Sequence, residues 1–193
     1  MKKWELSRFE IRLSGSGGQG MITLGKILGS ALAMEHGYYV TQTQSYGPEA
    51  RGGASRADLV VSSAPISFPK PEHLDFLVAL SQEACNSHFQ YLKVHGNLLV
   101  DTTLVKQTPS NIYWGLPFTE IAREKVGLVQ ATNTVTLGAI TYLLPFADPN
   151  AMKQSLKNNL PAKILDINLK AFTLGYNQAA KILPEAFKQW SFN

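Results

Sequence analysis

Phe9, Ile11 and Leu13 alternate with Glu10 and Arg12, the two-residue period of a strand with one face in a core. After the next turn, Met21, Leu24, Ile27, Leu28, Ala31 and Leu32 recur at helical spacing and predict a helix ending near His36. Gly37 fits its C-terminal cap. Tyr38 to Gln44 is β-branched and aromatic and reads as the second strand; Ala54 to Ser62 reads as a third. Ala64 to Pro71 is a proline-bearing connection. Leu74 to Leu80 is continuously apolar after Asp75, as in a strand buried on both faces. Ser81 is placed to cap a helix running to about Lys93. Asn97 to Val100, ending at Asp101, is another buried strand, and Ile112 to Trp114 a short one.

Helical patterns dominate the rest. Pro117 to Lys125 is stopped at Gly127. Thr132 or Asn133 opens a helix through Leu137, Ile140 and Leu144 to Pro145. Asp148-Pro149 is a helix start, an N-cap acceptor followed by proline in the first turn. The last helix spans about Leu165 to Leu183, and Pro184 ends or kinks it. Glu185 to Asn193 keeps Phe187, Trp190 and Phe192, so it docks on the domain or on a partner. Strands alternating with helices give an α/β fold: a three-layer α/β/α sandwich, Rossmann-like, with a mostly parallel sheet covered on both sides. With no repeat, low-complexity stretch or linker, residues 1–193 read as one domain, its core about 10–183 and its C-terminal tail 184–193.

Composition narrows the function. The chain has 193 residues, 45% hydrophobic and 17% charged, enough for one core. No stretch approaches the roughly 18 uninterrupted apolar residues of a membrane span. The basic start Met1-Lys2-Lys3-Trp4-Glu5 has no apolar region behind it, so a cytoplasmic, non-membrane protein is expected. The net charge of +4 admits anionic partners. Scattered basic residues without interleaved aromatics argue against nucleic acid. The one cysteine, Cys85, can close no internal disulfide and cannot hold an iron–sulfur cluster, which needs about four thiolates. It reads as a small buried helix residue with no basic neighbour to activate it. His36, His73, His88 and His95 lie too far apart for a metal motif and read as surface or helix-end residues. Trp4, Trp114 and Trp190 read as core or interface anchors.

Two loops carry candidate chemistry. Gly15-Ser16-Gly17-Gly18-Gln19-Gly20 sits between a strand and a helix, where glycine allows a tight turn and a helix start that points N–H groups at an anion. The plainer reading is that the glycines only let the helix pack closely on the sheet. The signal for NAD is weak: the second strand ends Thr41-Gln42-Thr43-Gln44, with no carboxylate for a ribose until Glu49. No Gly-Lys-Ser/Thr follows, so it is not a P-loop. The second loop, Ser45-Tyr46-Gly47-Pro48-Glu49-Ala50-Arg51-Gly52-Gly53, sets a guanidinium suited to carboxylate or phosphate beside two glycines. If the first two strands are sheet neighbours, both loops meet in one crevice. The plainer reading is a solvated loop in which Arg51 pairs with Glu49. Asp101, at a strand end, is either functional or a turn cap.

Together the Gly-Ser-Gly-Gly-Gln-Gly loop and Ser-Tyr-Gly-Pro-Glu-Ala-Arg-Gly-Gly resemble the gamma subunit or domain of the pyruvate/2-oxoacid:ferredoxin (flavodoxin) oxidoreductases. The resemblance runs from about Glu10 to Leu183 and includes Asn133-Thr134 opening a late helix. It implies a chain that is not catalytic alone. The complex would oxidatively decarboxylate a 2-oxoacid, 2-oxoglutarate or pyruvate, to an acyl-CoA and pass electrons to ferredoxin. A separate short gamma chain favours 2-oxoglutarate. Thiamine diphosphate, magnesium and [4Fe-4S] clusters would sit in alpha, beta and delta or ferredoxin-like partners, with none held by this chain alone. No Gly-Asp-Gly followed by paired asparagines is present to bind the diphosphate. Gly15, Gly17, Gly18, Gly20, Ser45, Tyr46, Arg51, Gly52 and Gly53 would line the shared coenzyme A and thiamine cleft. A homodimer of the isolated chain stays open. So do two other readings: a stand-alone nucleotide-binding Rossmann-like protein, and a non-enzymatic assembly module.

Overall fold

In the computed structural model, which describes residues 4–45 and 55–190, the first strand runs Phe9–Gly15 (β1) and is buried throughout. Phe9, Ile11 and Leu13 enter the main core, so Glu10, Arg12 and Ser14 face the other side of the sheet. Helix α1 (Met21–Ser30) follows and continues through one turn of wider, π-type hydrogen bonding, Ala31–Glu35. It ends as expected at left-handed Gly37 (φ 68°), whose N–H donates to the Ala33 carbonyl at 3.2 Å.

The remaining strands are β2 (Tyr39–Ser45), β3 (Ser55–Ser62), β4 (Leu74–Ala79), β5 (Leu92–Asp101) and β6 (Trp114–Leu116). They form one sheet in the order β2-β3-β1-β4-β5-β6. The pairings β1–β4, β4–β5 and β5–β6 are parallel, whereas β3 is antiparallel to both β1 and β2. The first two strands are therefore not neighbours: β3 lies between them. Residues 46–54 are too few for the dozen or so of a parallel crossover, so β2 and β3 pair as neighbouring antiparallel strands. On the core side β3 presents Ala57, Leu59 and Val61, which suits an interior strand. At the paired positions β2 presents Val40, Gln42 and Gln44, which suits an edge.

The other helices are α2 (Gln82–His88), α3 (Phe118–Ile121), α4 (Thr132–Leu143), α5 (Pro149–Asn159) and α6 (Ala162–Ile182). A π-type turn extends α3 to Val126, and Gly127 (φ 84°) stops it. Asp148 caps α5 as its sequence predicts, accepting from the N–H groups of Asn150 (2.9 Å) and Ala151 (3.0 Å). The main core packs β1, β3, β4 and the edges of β5 and β6 against α1, α4, α5 and α6. Trp190 closes it: its indole N–H donates to the Leu143 carbonyl at 2.6 Å, and its ring meets Phe9, Phe76 and Trp114 edge-on. The tail thus docks on its own domain at this residue.

The second face is thinner. Ala84 and Cys85 of α2 cover Leu77, Ala79, Leu98 and Val100. Over β3 and β2 the segment 64–73 crosses the sheet instead of a helix. Arg8 donates to the carbonyls of Phe68 (2.9 Å) and Lys70 (2.8 Å). Glu10 accepts from the N–H groups of Glu72 (2.7 Å) and His73 (2.8 Å), and Thr41 donates to the Pro69 carbonyl (3.1 Å). Two boundaries also move. The helix expected to reach Lys93 stops at His88, because Leu92 already pairs with Leu74 in the sheet. The short strand is Trp114–Leu116, whose Trp114 and Leu116 are the buried positions, while Ile112 is exposed.

Candidate functional site

β1 ends at Gly15, and the chain turns over Ser16 to Gln19, the Gln19 N–H donating to the Ser16 carbonyl at 3.2 Å. Gly17 and Gly18 stand exposed at the tip. Gly18 (φ 87°) and Gly20 (φ 74°) adopt left-handed backbone, which favours glycine. The Gln19 side chain folds back to lock the turn. Its carbonyl oxygen accepts from Ser16 N–H (2.6 Å), and its amide donates to the Leu80 carbonyl at the end of β4 (3.2 Å). Gly20 is the N-cap residue of α1. Among the described residues no side chain caps that helix, and its first turn carries no carboxylate. Its leading N–H groups are thus left to whatever anion approaches. From behind, the Asn133 amide donates to the Gly20 carbonyl at 3.4 Å.

Topology puts this turn at the crevice. β1 feeds α1 on the main face and its parallel neighbour β4 feeds α2 on the other, so the sheet switches direction between them. Ligands of open α/β sheets bind at such points, outside the carboxyl ends of the strands. Beside the turn lies a cavity of about 190 Å³ lined by Gly18, Gln19, Leu104, Thr119, Val129 and Thr132. Asp101 holds one of the lining residues, Thr119, in place. The carboxylate is buried and accepts from the N–H groups of Thr103 (2.9 Å) and Thr119 (3.1 Å) and from the Thr119 hydroxyl (2.5 Å). Its role is the turn cap rather than the chemistry.

The structure brings Gly15, Gly17, Gly18 and Gly20 together in one turn. Ser45 ends β2 opposite Arg56, and Gly15 pairs with Ser55. β2 runs parallel to β1, so both strand ends reach the same sheet edge, about 10 Å apart by ordinary strand spacing. Tyr46, Arg51, Gly52 and Gly53 lie outside the described residues. Gln19, Leu80 and Asn133 belong to the site although sequence reasoning did not single them out. Gln19 was visible only as part of the glycine motif, and Asn133 only as a helix opener. His36 has the helix-end role expected of it: one ring nitrogen meets the Ala31 carbonyl (3.1 Å) and the other accepts from Asp148 N–H (3.0 Å). Among the described residues no cluster of three or more His, Cys, Asp or Glu is placed to hold a metal ion. No helix there is long and apolar enough to cross a membrane.

A locked glycine turn and a helix start at the switch point of a mixed sheet define an α/β protein with backbone amides exposed at its crevice. Over residues 10–178 the chain matches the pyruvate ferredoxin/flavodoxin oxidoreductase family, and it belongs to that family, on the gamma-subunit side. It is 43% identical over 179 residues to the 2-oxoglutarate synthase subunit KorC of Methanocaldococcus jannaschii, covering 91% of this chain and 96% of that one. The gamma subunit of a keto/oxoacid ferredoxin oxidoreductase from Geobacter sulfurreducens PCA superposes with a TM-score of 0.82 at 36% identity, covering 91% of this chain and 98% of that one. A 2-oxoglutarate:ferredoxin oxidoreductase from Magnetococcus marinus, solved with 2-oxoglutarate, coenzyme A and succinyl-CoA bound, shares the fold: TM-score 0.81, 24% identity, 92% of this chain and 32% of that one.

Proposed function

We propose that this chain is the gamma subunit of a 2-oxoglutarate:ferredoxin oxidoreductase, not catalytic alone. Its glycine turn forms part of the wall of the cleft that coenzyme A enters. The observation that carries the reading is the α1 start, with no side-chain cap among the described residues, at the switch point beside the Gln19-locked turn. Coenzyme A carries phosphates, and uncapped helix amides are a fitting receiver for them. Identity to a 2-oxoglutarate synthase subunit supports the choice of oxoacid. Gly15, Gly17, Gly18, Gly20 and Ser45 line the wall, together with Tyr46, Arg51, Gly52 and Gly53 from the following loop. The redox and carbanion chemistry belongs to cofactors. With one thiol in the chain, the clusters fall to alpha, beta and delta or ferredoxin-like partners. Thiamine diphosphate and its magnesium fall to them as well, and ferredoxin takes the electrons.

The test is reconstitution with the partner subunits, assaying acyl-CoA formation from 2-oxoglutarate, pyruvate and branched-chain oxoacids. Gln19→Ala and Arg51→Ala are expected to raise KM for coenzyme A by about tenfold each, the loss of one charge-assisted hydrogen bond or its support, with assembly intact. Unchanged kinetics in both variants would remove the cleft assignment. Preferential turnover of pyruvate would reassign the substrate.

A further inference from the structure

The two edges of the sheet are guarded very differently. β6, at one end, has three residues, and so short an edge offers little to pair with. β2, at the other, has seven: Tyr-Val-Thr-Gln-Thr-Gln-Ser. It carries no charge and no proline, and its register with β3 runs unbroken from Tyr39↔Ser62 to Ser45↔Arg56, with no bulge to twist it away. These are the devices by which proteins normally keep an edge from pairing, and β2 has none of them. Among the described residues no strand lies on its outer side. Its rim is apolar as well. Met34 is 80% exposed on the turn that packs by β2, Tyr39 is 51% exposed, and Phe68, next to the Pro69 that Thr41 holds, is 47% exposed.

We propose that this edge is where a second copy of the chain docks, by antiparallel strand pairing about a two-fold axis at Gln42. The sequence selects the occupant. Thr41-Gln42-Thr43 reads the same in both directions, so a two-fold at Gln42 sets Thr41 opposite Thr43 of the second copy and Gln42 opposite its own equivalent. Threonine pairs across a strand boundary are favourable, while each Gln42 amide keeps its bond to the Ile22 carbonyl of its own copy (3.3 Å). Val40 falls opposite Gln44, and no charge meets a like charge. The result is one continuous sheet across both copies, with Met34, Tyr39 and Phe68 adding apolar area at its flanks.

Gln42 makes the idea testable, because in this arrangement any substitution there meets itself. Light scattering and sedimentation of the full chain should report a dimer. Gln42→Lys and Gln42→Glu should each weaken it by at least about tenfold through like-charge opposition, and an equal mixture of the two should restore it. Because directly opposed residues in antiparallel strands have Cα atoms about 4.5–5.5 Å apart, Gln42→Cys should form a covalent dimer on mild oxidation. The native Cys85 is buried and will not compete. Val94→Cys, 95% exposed on β5, should form none. A monomer at every concentration, or a dimer indifferent to both charge variants, overturns the proposal. So do equal cross-linking from position 94 and β2 amides that gain exchange protection only when heterologous subunits are added.

Discussion

Gly20 is held by two separate constraints, and Gly18 by one. Both sit at positive φ, where a side chain costs about 1–2 kcal/mol. A Cβ on Gly18 would find open space, whereas a Cβ on Gly20 would run into the Asn133 amide. Gly18→Ala is therefore expected to cost about 1 kcal/mol in urea denaturation, and Gly20→Ala at least about 2 kcal/mol. Asn133→Ala in the Gly20→Ala background should recover part of the difference; equal costs for both glycines would remove Asn133 from the account. The glycine spacing announced a backbone-lined turn, and that much was legible. What locks the turn was not. The amide of Gln19 reaches the Leu80 carbonyl and that of Asn133 the Gly20 carbonyl, and neither partner is near in sequence. A side-chain amide in a loop motif gives no sign of which distant strand it will meet.

At the scale of elements, helices and strands followed their periodicity closely, while their neighbours followed rules that a single segment does not carry. The place of β3 between β1 and β2 rests on the shortness of one connection and on which strand offers three apolar residues to α1. The contact of α4 with α6 was silent in sequence for a similar reason. Gly138 and Gly175 look like weak points in helical patterns, costing helix propensity. In the fold they are where two backbones meet: a Cβ on Gly138 would strike the Phe172 carbonyl, and one on Gly175 the Val135 carbonyl. Backbone cannot swing aside as a side chain can, so the helices must separate. Gly175→Ala is expected to destabilise the chain by about 3 kcal/mol, the upper range for overpacking, and to lower Tm accordingly. Gly127→Ala, strained at φ 84° but in open space, is the measure of comparison. If it proves the costlier of the two, the close approach of α4 and α6 is not what Gly175 provides.

For the whole molecule, the contrast between the two sheet faces matters most, and sequence could not show it. Glu10 and Arg12 stand out in the sequence only as the polar positions of an alternating strand. Polar alternation looks the same whether those side chains meet solvent or a buried ion pair. Here α2 and the segment 64–73 cover them. Arg12 binds Asp58 through two bonds of 2.7 and 2.9 Å with both side chains nearly buried, and Arg56 stands 3.7 Å from the same carboxylate. The Arg12 guanidinium also lies 5.1 Å from the centre of the Tyr91 ring. Two guanidinium groups against one carboxylate leave the patch positive, and His88 sits against it with Nδ1 buried and without a hydrogen-bond partner. Burial first, then the Arg12 and Arg56 charges, push the His88 pKa from 6.5 down to about 4, against a smaller opposing pull from Asp58. The native state therefore refuses a proton that the unfolded chain accepts below pH 6.5, until the native group itself titrates near pH 4. Over that window the unfolded state binds more protons, so stability falls as pH falls, and above it His88 adds no slope. Carboxylates titrate in the same range, so the measurement is a difference: urea midpoints of the native chain and of His88→Gln across pH 4 to about 8. The native chain is expected to lose stability more steeply toward low pH than the variant, with the two curves parallel above pH 7. Parallel curves throughout would mean that His88 reaches water and that the positive patch does not govern it.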